Sequence, residues 1–144
     1  MAALTIATAN VMPTSVTGIA NVTVVGTAGT AIVAGKAVYV DASNKVQLAD
    51  ANVSSTQAAA VGIALVNAQA SQPVIYQKAG AVALGTTVLS TGVWYGVGAT
   101  SPGDINPAAD LTSSWFSTFL GYAYSNTVLI IPTQGPVITN VVLV

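Results

Sequence analysis

The side chains of this chain that could do chemistry are few, and nearly all are aspartates and lysines. Four aspartates and three lysines are its only charged residues, and it contains no histidine, cysteine, arginine or glutamate. General acid–base catalysis relies mainly on His and Glu, and a Ser nucleophile needs a base beside it. The aspartates could at best form a carboxylate pair of the glycosidase kind, but nothing in their spacing brings two together. We therefore expect no enzyme activity and no cofactor.

One acidic segment has the spacing of a cation site. Asp104, Asn106 and Asp110 place side-chain oxygens at the first, third and seventh positions, as in a calcium-binding loop. The segment lacks the glycine and the terminal Glu of an EF-hand. The alternative is a proline-stiffened loop over 101–107 whose aspartates cap turns. We favour the loop and predict no metal site.

The composition is unusually apolar for a chain that has so little charge. Charged residues are 5% of the sequence and mean hydropathy is +0.72, whereas typical soluble domains are about 25% charged. Either the chain lies in a membrane, or it is a soluble subunit that hides surface in an assembly. It contains no run of about 20 predominantly apolar residues and no cationic leader before an apolar segment. We favour the assembly and expect no membrane association.

Binding partners are also limited by the charge count. Three scattered lysines are too few to supply the phosphate contacts that dominate nucleic-acid affinity, so no nucleic-acid partner is expected. No phosphate-binding loop is present, because the glycine-rich phrases are not followed by a Lys-Ser or Lys-Thr pair. We therefore expect no small-molecule substrate either.

The elements that must position these side chains are mostly strands. The chain is rich in Val and Thr, and Gly and Pro interrupt it at short intervals, as in proteins with many short strands. We predict an all-β fold: a single compact domain, either a β-sandwich or a small β-barrel. Residues 18–144 form this domain, and residues 1–17 form an extended N-terminal segment.

The clearest local prediction is a hairpin over 36–49. Val38 and Val40 alternate with Tyr39, a period that predicts one buried and one solvent-facing side. The turn at 41–44, Asp-Ala-Ser-Asn, has residue types that hydrogen-bond their own backbone.

The N-terminal segment has two interpretations of equal weight. Four apolar side chains could anchor a free arm on a neighbouring molecule, or they could belong to a first edge strand. These side chains are Leu4, Ile6, Val11 and Met12.

Aromatic side chains provide the other candidate contacts. Trp94 and Tyr95 are adjacent in a predicted strand and so point to opposite faces, one into the core and one into an interface. Tyr122 and Tyr124 share a face and could line a trimer seam; ordinary packing across the sheet is the plainer interpretation. The other large aromatics are expected in the core: Trp115, Phe116 and Phe119.

Two C-terminal segments complete the prediction. Residues 127–132 are apolar without alternation, which predicts a strand buried on both faces. The tail at 136–144 is uncharged and β-prone, so we expect it to be paired within the fold or covered by a partner chain.

Three stretches, and the strand that follows the third, stand in a distinctive order over about residues 29–132. They are AGKAVYVDASNKVQLADA (34–51), AAVGIALVNAQASQPVIYQKAGAVALG (59–85), GVWYGVGATSPGDINPAADL (92–111) and LGYAYSNTVLIIP (120–132). Together they resemble phage capsid cement proteins, also called head decoration proteins.

The resemblance implies an all-β knob, commonly a homotrimer, on the outer surface of an icosahedral virion capsid. Its partners would be the major capsid protein, whose neighbouring subunits it staples, and further copies of itself. The family implies no catalytic residues. The alternative is a head fibre or adhesin-like domain that binds a host glycan, with Trp94, Tyr95 and Trp115 stacking on sugar rings.

Overall fold

The computed structural model describes residues 4, 6, 11–84, 88–111 and 115–142, and the all-β prediction is confirmed. One short helix, α1 (Ser55–Ala58), and a 3₁₀ turn (Ala108–Asp110) interrupt the strands. The strands are β1 (Met12–Pro13), β2 (Val22–Ala28), β3 (Ala37–Val40), β4 (Lys45–Leu48), β5 (Gly62–Ala64), β6 (Pro73–Ala83), β7 (Trp94–Val97), β8 (Ile105–Pro107), β9 (Phe116–Ala123), β10 (Val128–Ile131) and β11 (Val137–Val142).

Five strands pair in a closed ring. The order is β2, β4, β3, β5 and β6, and β6 returns to β2. The β2–β4 contact is parallel and the other four are antiparallel. Each strand contributes to one buried cluster, so this cluster fills the ring. Its members include Val38, Val46, Ala64, Val74 and Tyr76.

A second sheet packs against the outside of this ring. The end of β6 pairs with β1 and β10, and the sheet continues through β9 and β7 to β8, with β11 also on β9. The larger buried cluster combines ring residues such as Tyr39 and Ile63 with Leu120 and Leu129 of the second sheet. The pairings thus contain a closed ring and a second sheet, with the larger cluster between them.

The predicted hairpin is formed by β3 and β4, with Val38 opposite Leu48. In its turn, Asp41 Oδ1 accepts hydrogen bonds from the N–H groups of Ser43 and Lys45, both at 2.9 Å. The prediction of a solvent-facing side is wrong at Tyr39, which is buried in the larger cluster, whereas Lys45 on the same side is exposed. The larger cluster, which includes residues of the second sheet, therefore covers only part of the side that alternation assigned to water.

The predicted loop at 101–107 ends in a strand. Ile105–Pro107 is β8, which pairs with β7 so that Val97 faces Ile105 and Tyr95 faces Pro107. Proline cannot donate to a strand ladder, but it is tolerated in a strand at the end of a sheet, as here.

Strand β6 is continuous from Pro73 to Ala83. It belongs to the ring over its first part and to the second sheet over its last. Thr23 pairs with Gln77 but Val22 pairs with Ala79, so Lys78 is an extra residue and β6 bulges there.

A buried amide supports this bulge. Gln77 is fully buried, and its Nε2 donates to the carbonyl oxygens of Ala79 at 3.1 Å and Ala81 at 2.9 Å. From β2's side, Asn21 Oδ1 accepts the Ala81 N–H at 2.8 Å. The side chains of Gln77 and Asn21 therefore add hydrogen bonds to the backbone of β6 beside this irregularity, and the Thr14 N–H also donates to the Ala81 carbonyl oxygen at 3.0 Å.

The C-terminal segments behave as predicted. Strand β10 is buried along most of its length. The described part of the tail is paired within the fold, since β11 lies antiparallel to β9 with Val137 opposite Phe119; Leu143 and Val144 lie outside the described residues.

Candidate contact surface

The four N-terminal site residues lie on their own domain. The N–H of Leu4 donates to the Ile105 carbonyl at 2.9 Å, and both Leu4 and Ile6 pack against the larger cluster. Val11 is buried in that cluster. Met12 pairs through β1 with β6 and keeps 52% of its surface exposed, the most of the four.

The structure separates Trp94 from Tyr95 as their alternation predicts. Tyr95 is 2% exposed, and its hydroxyl oxygen accepts a hydrogen bond from the Ser90 N–H at 2.8 Å. Trp94 is 41% exposed and is the surface member of the pair.

Trp94 and Tyr122 form a cross-strand aromatic pair. They are opposite each other on β7 and β9, and their ring centroids lie 5.4 Å apart with the planes tilted by 53°. Such tilted contacts are a favoured aromatic geometry. Tyr122 thus packs across the sheet, the plainer of its two predicted roles, whereas Tyr124 at the end of β9 is 56% exposed.

An apolar depression lies beside this pair. It has a volume of about 410 Å³ and is lined by Trp94, Ala108, Phe119 and Val137, which we call the Trp94 patch. All four lining side chains are apolar, and none carries charge. Of the four, only Trp94 was a predicted contact residue.

Phe119 reaches this patch because of a bulge in β9. Tyr95 pairs with Gly121 but Gly96 pairs with Phe119, so Leu120 is an extra residue on β9. The extra residue reverses the alternation, and Phe119 comes to the side that Trp94 occupies. Phe116 is likewise only half-buried, while Trp115 packs against the larger cluster.

In the candidate calcium loop, Asp104 makes an ion pair and accepts a backbone hydrogen bond. Asp104 Oδ1 lies 3.1 Å from Lys36 Nζ, and Asp104 Oδ2 accepts the Ser101 N–H at 3.1 Å. Asn106 is buried in β8. Among the described residues, no group of three or more His, Cys, Asp or Glu side chains is placed to hold a metal ion.

Three residues of the ring and of the β3–β4 turn have shifted pKa values. Burial, with a smaller contribution from the nearby Asp41 carboxylate, raises the pKa of Tyr39, and burial raises the pKa of Tyr76. The pKa of Asp41 is lowered, first by the hydrogen bond from Gln47 and then by the Lys45 N–H. None of these three residues lines the Trp94 patch.

No protein-family model, curated protein or solved structure matches this chain. Within the part of the chain that is described, no helix is both long and apolar enough to cross a membrane.

Proposed function

We propose that this chain is a structural virion protein that cements the head of a tailed phage. It binds the outer surface of the icosahedral shell, bridges neighbouring major capsid subunits and assembles as a homotrimer. The observation that carries the proposal is the Trp94 patch, an exposed apolar surface on a chain with almost no charge. The order of the sequence stretches that resemble cement proteins supports the same function.

The physical requirements of a cement protein match these properties. A protein that clamps a repeating lattice needs contact area and no catalytic groups. Each copy adds a modest binding energy, and the many copies on the lattice add up to a large stabilisation. Apolar surface contributes about 25 cal/mol per Å² removed from water. An exposed aromatic beside a depression is also the kind of residue that dominates binding energy at interfaces. Trp94 is in this position, and Tyr124 and Met12 are further exposed apolar contacts.

The first experiment is the copy number of this chain relative to the major shell protein in purified particles. A ratio near one to one is expected for a protein that coats the lattice. Absence of the chain from the particles would overturn the proposal.

A second experiment tests the bridging role. Particles that lack the chain are expected to release DNA at a lower temperature than complete particles. Re-adding the purified chain should restore the release temperature, and the Trp94→Ala variant should need at least about tenfold more protein to do so. Val25→Ala, at an exposed valine in β2, is the matched control. Equal heat stability with and without the chain would exclude bridging.

A glycan-binding head fibre is the second candidate, and the exposure of Trp94 beside Tyr122 favours it. Aromatic rings of this kind stack on sugars, but the patch offers no carboxylate to bind sugar hydroxyls. This candidate predicts a few dozen copies per particle and binding on a glycan array. A flat array together with a one-to-one ratio would eliminate it.

A further inference from the structure

The second sheet ends in an open strand edge. Strands β10 and β11 succeed each other along the same side of β9, with Leu129 opposite Ala123 and Val137 opposite Phe119. The far side of β10 is paired with β6. On the far side of β11, no strand is paired among the described residues. An edge of this kind presents unpaired N–H and C=O groups that another strand can bond.

This edge carries little of the usual protection against pairing. Residues 137–142 contain no charged residue and no proline, and the one irregularity is a register shift between Ile138 and Val142. At the opposite end of the sheet, β8 ends in Pro107, and the Leu4 N–H occupies the Ile105 carbonyl. Charge, proline and bulges are common means of blocking edge pairing. Among the described residues, β8 has Pro107 and the Leu4 N–H, whereas β11 has only the register shift after Ile138.

We propose that β11 pairs antiparallel with β11 of a second copy across a two-fold axis, so that the second sheet continues into the neighbouring molecule. Pairing of a strand with itself places identical side chains together, and it is opposed wherever those side chains are charged. In 137–142 no charge opposes it, and the whole chain has a formal net charge of only -1.

The Trp94 patch makes a second copy the fitting partner. A pair of six-residue strands is only about 20 Å long, which covers much less than the roughly 1,200–2,000 Å² of a standard interface. Val137 belongs both to β11 and to the patch, so the patch adjoins the open edge. A two-fold axis brings both patches to one interface, because such an interface uses the same surface of each copy.

This contact and the proposed shell contact use the same Trp94 patch, so we place the two-fold contact in copies that are not bound to a shell. A strand that pairs with its own copy generates a two-fold axis, whereas a trimer uses a three-fold axis. The two-fold contact therefore joins copies, or trimers, in pairs. It requires neither a shell nor a capsid protein, and the purified chain suffices to test it.

A cysteine scan tests the pairing directly, because the chain contains no cysteine. Single cysteines are placed in turn at each of positions 137–142 and oxidised at low protein concentration. In a two-fold strand pair, only positions close to the axis come within disulfide distance of their own copy. We expect the cross-linked fraction to peak at one position and to fall on both sides of it.

Val25→Cys is the control for this scan, since Val25 is exposed and lies on β2, away from the second sheet. Uniformly low cross-linking across 137–142 would overturn the proposal. So would stronger cross-linking at position 25 than anywhere in β11.

A charge-pair experiment provides the second test. Ile138 is exposed, so Ile138→Lys should leave the fold intact while it places like charges on both copies. The unaltered chain is expected to have twice the mass of this variant by light scattering. Mixing Ile138→Lys with Ile138→Asp should restore the larger mass. Equal masses for the unaltered chain and the Lys variant would refute the two-fold contact.

Discussion

At the scale of single residues, Asp41 shows how a small polar group shapes the fold. Its carboxylate accepts hydrogen bonds from two backbone N–H groups of the β3–β4 turn and from Gln47 Nε2. These bonds favour the charged form, which is why the pKa of Asp41 is lowered. A group whose pKa is lower in the folded state stabilises that state above its unfolded pKa, and this stabilisation disappears as the pH falls through the folded pKa.

The Asp41→Asn variant tests this linkage. The amide can still accept the turn hydrogen bonds but cannot ionise. We expect a lower urea midpoint than that of the unaltered chain near neutral pH. The difference should shrink as the pH falls below about 4, the usual range of an unfolded aspartate, and it should vanish at lower pH. Urea unfolding at a series of pH values measures it, and a pH-independent difference would contradict the linkage.

Residue-level prediction from sequence succeeded where strands are regular and failed where they are not. Alternation correctly placed Trp94 and Tyr95 on opposite faces. It could not place Phe119 on the same side as Trp94, because that depends on the extra residue Leu120 in β9. A bulge is a property of two paired strands, so one strand's sequence carries little sign of it.

At the scale of elements, the bend of β6 depends on Gly80. Its φ is +101°, and a Cβ there would collide with Asn21 Oδ1 and with the Ala20 carbonyl oxygen at 2.6 Å. The positive φ and the lack of room for a Cβ therefore both require glycine at the point where β6 passes from the ring to the second sheet.

Gly80→Ala is expected to lower the free energy of unfolding by about 2–4 kcal/mol, because it adds a steric collision to the strain of a positive φ. Gly92→Ala is the matched control: φ is +83° there, but nothing lies within 4 Å of the added Cβ. The control should cost only the conformational strain, about 1 kcal/mol. Denaturant unfolding of both variants measures the difference, and equal losses would show that space around Gly80 is not limiting.

Element prediction was most accurate for local pairings. The β3–β4 hairpin was predicted because its strands are joined by a four-residue turn with suitable residue types. β8 was missed because Pro102, Gly103 and Pro107 indicate a loop, and only the neighbouring β7 makes Ile105–Pro107 a strand. The buried side of the hairpin was missed because its cover comes from residues far along the chain.

At the scale of the whole molecule, the scarcity of charge determines how the proposed association of copies should respond to salt. The proposed β11 contact would consist of backbone hydrogen bonds and uncharged side chains. Salt screens interactions between exposed charges, and this contact contains none within 137–142.

The association constant of the unaltered chain is therefore expected to change by less than about twofold between about 0.05 and 0.5 M NaCl, a range in which exposed charge pairs become strongly screened. The mixed pair of Ile138→Lys and Ile138→Asp should weaken over the same range. Sedimentation velocity at each salt concentration measures both. A large salt dependence of the unaltered chain would place charged residues in the contact.

Composition was sufficient to predict an all-β fold, but it could not distinguish a sandwich from a barrel. That distinction depends on whether β2 returns to β6 and whether β4 joins β2 in parallel. These pairings connect residues that are distant in sequence, and no turn or local sequence pattern predicts them.

Because β6 belongs to both the ring and the second sheet, it also determines when this chain can fold during synthesis. The ring cannot close before β6 exists, because β2 and β5 both pair with it. The second sheet is joined to the ring through β6, since β1 and β10 both pair with its last residues. Domains fold as units, from the N-terminus onward, while the ribosome extends the chain. A nascent chain that ends at residue 72 therefore has no closed ring, so β2 to β5 must wait on the ribosome with open edges until β6 has emerged as far as Ala79.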